Sequence, residues 1–191
     1  MAGKTEPLAD LSVAYTMDKV AAADWLVAAP VIWCILVGSL LLMLRKHTRI
    51  QPLIAIPALG ILALMTLGLL GHVVQNGTVT MTMGRWLPPF GISFTVDLLG
   101  AFFAATSALV ALGAGIYGRS DVDDTGRRYG FYPFLLLIMA GILGAFMTGD
   151  IFNLYVWFEV LLISSFGLLV LGSERKQLDG AVKYAFLNLI A

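Results

Sequence analysis

Five stretches of the chain are apolar over the length that a helix needs to cross a bilayer, about 20 residues. In chain order they are 25–44, 53–74, 98–117, 131–147 and 151–171. A sixth apolar stretch opens near Ala181 and is cut off at Ala191 after about three turns. We therefore predict an all-α polytopic membrane protein with five complete transmembrane helices and a truncated sixth, the front part of a longer chain.

Residues 78–96, between the second and third apolar stretches, follow a period of two instead. TVTMTM and GISFTV each alternate polar with apolar residues, and GRWLPPFG between them is rich in turn-forming residues. This pattern predicts a small β-hairpin in the loop between helices two and three. Because an open strand edge is not tolerated in hydrocarbon, we expect the hairpin at the membrane surface or against protein.

The basic residues are distributed unevenly over the loops. The loops after the first, third and fifth stretches carry eight Lys and Arg, whereas the N-terminal arm and the remaining loops carry three. The positive-inside rule then places the N-terminus and the hairpin outside the plasma membrane. Residues 1–24 lack the basic start and short apolar core of a signal peptide, so we predict an extramembrane arm there and a membrane domain over 25–191.

Composition narrows the class of protein further. Apolar residues make up 59% of the chain and charged residues 13%, against about 25% charged in a typical soluble domain. The net charge is zero, which argues against nucleic acid as a partner. With a single cysteine, Cys34, and two histidines, His47 and His72, the sequence predicts no metal site and no cofactor.

Four polar residues near the ends of the apolar stretches have an ordinary interpretation and a functional alternative. Asp97 and Asp150 each precede an apolar helix, where a carboxylate caps free backbone N–H groups, or else they lie at the mouth of an ion path. His72 is an interface histidine or a proton carrier. Lys183, predicted in the first turn of the sixth helix, extends its ammonium group to the interface or takes part in charge relay.

Glu159 is different, because it lies inside an apolar stretch. It follows Ile151 by eight residues, about 12 Å into the membrane at 1.5 Å per residue. A charged carboxyl group there costs roughly 2.5–3.5 kcal/mol or more, and protonating it at neutral pH costs about 4 kcal/mol. The two costs are close, so Glu159 suits proton transfer or cation exchange; the alternative is a structural ion pair. Asn153 and Tyr155 are further polar candidates for an ion path on this helix.

Three segments together carry a family resemblance: GRWLPPFGISFTVD, MTGDIFNLYVWFEVLLISSFGLLVLG and AVKYAFLNLIA. They resemble the D subunit of the multi-subunit Mrp cation/proton antiporters, whose fold is similar to that of the proton-pumping subunits of respiratory complex I. GDIFNLYVWFEV is the most specific of the matches. The resemblance covers residues 86–191, and the helix–hairpin–helix layout extends it to the first helix.

The resemblance implies a 14-helix subunit containing two inverted repeats of five helices. It maps the family's functional glutamate onto Glu159, and it implies that this glutamate works with a lysine on a seventh helix. The implied partners are other membrane subunits of a hetero-oligomeric complex, together with protons and Na⁺.

The sequence therefore indicates a subunit of a Na⁺/H⁺ antiporter complex, a transporter subunit rather than an enzyme, with Glu159 as the proton carrier. Two alternatives stay open. One is a proton-pumping membrane subunit of a redox pump related to complex I or to membrane-bound hydrogenases. The other is a scaffold subunit that transports nothing and in which Glu159 only forms an ion pair.

Overall fold

The computed structural model of the protein describes residues 24–83, 91–172 and 174–190. The elements in chain order are α1 (Trp25–Met43), α2 (Gln51–Asn76), β1 (Val79–Thr82), β2 (Ser93–Val96), α3 (Leu98–Asp121), α4 (Asp124–Tyr129), α5 (Phe131–Phe146), α6 (Ile151–Leu169) and α7 (Arg175–Ile190). The arm predicted for residues 1–24 lies outside the described residues except for its last position.

The apolar stretches form the long helices at nearly the predicted bounds. By length and composition, α1, α2, α3 and α6 are able to cross a membrane, whereas α5 is equally apolar but has only 16 residues. The protein is thus a helical, multi-pass membrane protein with a small hairpin. The finer expectation of five complete spans plus a truncated sixth is not confirmed by these lengths.

Small side chains hold the third helix against its neighbours. Ala104, Ala108 and Ala111 of α3 are buried, and a Cβ atom at Gly115 would lie 2.6 Å from Leu59 Cδ1 of α2. Lipid supplies no hydrophobic force between helices, so close approach of this kind is what holds a bundle together. The small residues of α3 therefore form one of its packing faces.

The hairpin forms where the alternating pattern predicts it. β1 and β2 pair antiparallel, with Val79 opposite Val96 and Thr82 opposite Ser93. The backbone between α5 and α6 then pairs with β2, because Thr95 N–H donates to Met147 O at 2.8 Å and Gly149 N–H donates to Ser93 O at 2.8 Å. One strand edge is therefore covered by protein, and the start of α6 is fixed to the hairpin.

Two helices differ from the sequence prediction. The polar segment before α5, predicted as a loop, contains α4, which Asp123 caps by accepting from Gly126 N–H at 2.7 Å. The sixth predicted helix does not open near Ala181: α7 begins at Arg175. Its first two turns are polar, so the apolar pattern on which the prediction depended marks only its second half.

Candidate functional site

The candidate site is built on α6, and its position is set by a cap at the start of that helix. Asp150 Oδ1 accepts from Asn153 N–H at 2.6 Å, and Asp150 Oδ2 lies 3.5 Å from Ser93 N of the hairpin. Asp97 caps α3 in the same way, accepting from Gly100 N–H at 2.7 Å. The capping role predicted for both aspartates is confirmed, while their alternative role at an ion path stays a prediction.

Contact with α5 fixes the rotation of α6 about its axis. A Cβ atom at Gly141 would lie 2.7 Å from Leu161 N, and one at Gly144 would overlap the indole ring of Trp157. The backbone of α5 thus touches the side of α6 that carries Trp157 and Leu161. Since residues two apart on a helix point about 200° apart, Glu159 faces away from α5.

The face of α6 that carries Glu159 is largely uncovered. Glu159 is half-buried, whereas Phe152 is 73% exposed and Tyr155 and Ile163 are each 63% exposed. Tyr155 precedes Glu159 by one helical turn, so its side chain lies on the same face of α6. Glu159 therefore shares with Tyr155 a face of α6 that the described residues leave largely exposed.

Lys183 is not where the sequence places it. Because α7 begins at Arg175, Lys183 lies more than two turns into the helix instead of in its first turn, so that prediction was wrong. Its ammonium Nζ lies 2.6 Å from Asp179 Oδ2, and both side chains are exposed. Within the described ranges no ion pair joins Lys183 to Glu159. A role in charge relay stays a prediction.

The contact between α6 and α7 lies further along the axis of α6 than Glu159. Phe166 of α6 meets Tyr184 of α7 edge to face, with ring centroids 5.3 Å apart. Phe166 follows Glu159 by seven residues, about 10 Å along the helix axis. The middle of α7 therefore contacts the second half of α6, away from the level of Glu159.

The other predicted polar residues lie toward the hairpin end of the helices. Asn153 is 4% exposed, and its Nδ2 has no hydrogen-bond partner among the described residues. His72 is half-buried, with Nδ1 3.2 Å from Asn76 Nδ2. Tyr155 thus lies on the same side of α6 as Glu159, whereas Asn153 lies on a different side.

Sequence reasoning missed Trp157, whose indole N–H is buried without a hydrogen-bond partner among the described residues. Its ring packs 6.1 Å from that of Phe94 on β2. The sequence signal that could have identified Trp157 is its position four residues after Asn153, which puts two N–H donors on one side of the helix.

The described ranges contain no group of three His, Cys, Asp or Glu side chains able to hold a metal ion.

Comparison with known proteins identifies relatives over most of the chain. The sequence is 36% identical over 166 residues to the D subunit of the Na⁺/H⁺ antiporter of Alkalihalophilus pseudofirmus, an alignment covering 87% of this chain and 34% of that protein. No protein-family model matches the chain. The chain therefore spans about a third of the length of this curated relative, and the resemblance to the D subunits is confirmed.

Two solved structures share the fold. A chain in the structure of the Mrp complex from Dietzia sp. DQ12-45-1b matches with a TM-score of 0.73 and 25% identity, over 78% of this chain and 28% of that one. A chain of the membrane-bound sulfane sulfur reductase, an archaeal respiratory membrane complex, matches with a TM-score of 0.78 and 23% identity, over 86% of this chain and 34% of that one. The second likeness concerns the fold alone.

Proposed function

Because this chain is a homologue of Na⁺/H⁺ antiporter D subunits, we propose that it is a proton- and monovalent-cation-translocating subunit of a Na⁺/H⁺ antiporter complex. One observation carries the proposal. Within the described residues of α1, α2, α5 and α6, Glu159 is the only Asp, Glu, Lys or Arg. An ionisable side chain at that depth is costly, and such residues in membrane proteins mark ion and proton pathways.

In this proposal Glu159 takes up and releases a proton, and no covalent chemistry or cofactor is involved. Tyr155 lies one turn away on the same face of α6 and offers a hydroxyl group that can pass the proton on.

We propose that the uncovered face of α6 receives helices outside the described residues. The alignment covers only 34% of the relative's length, and Phe152, Tyr155 and Ile163 need cover in any closed ion path. The resemblance to the family assigns a lysine to one of those helices, and its charge would be coupled to the protonation of Glu159. Other membrane subunits complete the complex in the plasma membrane, with the N-terminus outside.

The two alternative functions have less support. A redox-linked pump rests on the likeness to the sulfane sulfur reductase chain, which at 23% identity concerns the fold alone. In a scaffold subunit, Glu159 would form a structural ion pair, but no described residue pairs with it. The subunits that copurify with the protein separate an antiporter from a redox pump.

The test is Glu159→Gln in the assembled complex, reconstituted in liposomes with an imposed Na⁺ gradient. The amide keeps the size of the side chain but removes the titratable proton, so proton flux should fall to background while the yield of complex is unchanged. Glu174→Gln is the matched control, since Glu174 is an exposed glutamate just before α7. It should leave both flux and yield unchanged.

The remaining outcomes decide between the proposals. Normal flux in Glu159→Gln would refute the proton-carrier role. Reduced yield with unchanged flux per complex would favour the scaffold, because removing one member of a buried ion pair costs roughly 3–5 kcal/mol.

A further inference from the structure

A basic groove lies at the end of the helices opposite the hairpin. It is an open cavity of about 770 Å³ between the α1–α2 connection and α4. Arg45, Lys46 and Thr48 line one wall, and Arg128 and Tyr129 line the other. A second cavity of about 350 Å³ continues from it and shares Lys46 and Thr48.

Both walls of the basic groove are held in place by contacts behind it. Gln51, which is fully buried, donates from Nε2 to the carbonyl of Arg45 at 3.1 Å and so fixes the turn after α1. On the other wall, Arg127 Nη2 donates to the carbonyl of Arg119 at 2.7 Å, which ties α4 to the end of α3. The cationic side chains therefore project from a defined backbone.

The balance of charge in the groove is positive. Its one carboxylate, Asp124, lies 3.5 Å from Nη1 of Arg127, a residue that does not line the groove. Within the described ranges, Arg45, Lys46 and Arg128 form no ion pair. Three cations and the hydroxyl groups of Thr48 and Tyr129 thus face one cavity, and all five side chains are hydrogen-bond donors.

The surface beside the groove is apolar. Leu36, Leu40 and Met43, in the last turns of α1, are 62%, 47% and 82% exposed. Their spacing of four and three residues puts them in one stripe along the helix. Tyr129, which is 53% exposed, is of the aromatic type that is enriched where a membrane protein meets the headgroups. A cationic groove at the end of an apolar stripe matches the two parts of a phospholipid.

We propose that the basic groove binds the phosphate group of an anionic phospholipid, with Arg45, Lys46 and Arg128 contacting the phosphate and the acyl chains lying along α1. Arginine suits this ligand, because its planar guanidinium donates two parallel hydrogen bonds to phosphate oxygens. Basic pockets between transmembrane helices on the cytoplasmic side are typical sites for anionic headgroups. The positive-inside rule assigns the groove to that side.

The test is native mass spectrometry of the purified full chain in detergent with equal amounts of dioleoyl-phosphatidylglycerol and dioleoyl-phosphatidylcholine. The wild-type protein should retain one phosphatidylglycerol under conditions that remove phosphatidylcholine. Arg45→Gln combined with Arg128→Gln should lower that retention at least about fivefold, since each basic residue near an anionic surface contributes about that factor. Lys46→Gln is a milder second variant if the double variant folds poorly.

The matched control is Arg175→Gln combined with Lys176→Gln, which removes two exposed positive charges from α7, outside the groove. It should leave retention unchanged, and an equal loss in this control would refute a defined site.

Inorganic phosphate at millimolar concentration should not displace the lipid. Displacement would assign the groove to a soluble phosphate compound and overturn the lipid assignment. Equal retention of both lipids, as expected if an acidic protein segment is the true occupant, would also overturn it.

Discussion

Tyr155 and Glu159 lie one helical turn apart, on the side of α6 that faces away from α5. An ionisable side chain inside an apolar helix is costly and typically marks an ion or proton path. Since no described residue forms an ion pair with Glu159, this cost is the physical reason to propose proton exchange there instead of a structural ion pair.

At Asp150 a capping role and a place on the ion path predict different results. Asp150→Ala removes the acceptor for Asn153 N–H, so the free energy of unfolding should fall by about 1 kcal/mol. Asp150→Asn keeps an acceptor oxygen but loses the charge, and we expect it to keep both stability and proton flux. Thermal unfolding and flux, measured on both variants, test this. Lost flux with full stability in Asp150→Asn would instead place the carboxylate on the ion path.

At the scale of elements, the contact between α5 and α6 depends on glycine. Gly144→Ala would place a methyl group against the indole ring of Trp157, and overpacking of this kind costs about 1–3 kcal/mol. The midpoint of thermal unfolding in detergent should therefore fall. Gly113→Ala is the matched control, because a Cβ atom there has nothing within 4 Å. It should be neutral or slightly stabilising. An equal loss in both variants would mean that the contact with Trp157 does not set the effect.

The sequence predicts the apolar helices, the hairpin and the caps because each depends on local chemistry. Asp97 and Asp150 stand directly before apolar runs, and a carboxylate in that position has free N–H groups to accept. The alternating segments around residues 84–91 follow from the period of a strand. The depth of Glu159 in its helix needs only the rise of 1.5 Å per residue.

What the sequence does not predict depends on contacts or on polar helices. α4 and the first turns of α7 have no apolar periodicity, so the pattern cannot distinguish them from loops, and the position of Lys183 was wrong for that reason. The pairing of Gly149 with Ser93 joins residues far apart in the chain. The rotation of Glu159 away from α5 follows from Gly144 meeting Trp157, a contact between two helices that no local pattern predicts.

At the scale of the whole molecule, burial differs sharply between helices. In the most apolar 18-residue windows, α1, α2 and α3 are 44%, 39% and 39% buried, whereas α6 is 11% buried. Of these four helices, α6, which carries Glu159, thus has the least cover from the described residues. Since the alignment covers only 34% of the relative's length, the proposed ion path is one that further helices would enclose.

The orientation of the molecule decides which compartment the hairpin end of this path faces. We predict the hairpin outside, because the loops at the opposite end carry most of the basic residues. Thr78 and Ser120 are both exposed and lie at opposite ends of the helices, so Thr78→Cys and Ser120→Cys, each in a Cys34→Ala background, report the two sides. A membrane-impermeant maleimide added to intact cells should label position 78, and should label position 120 only after permeabilisation.

The reverse pattern would place the hairpin in the cytoplasm, together with the start of α6, which lies about 12 Å from Glu159. Protons would then reach Glu159 along the hairpin end of α6 from the inner side, and the basic groove would face the outer leaflet.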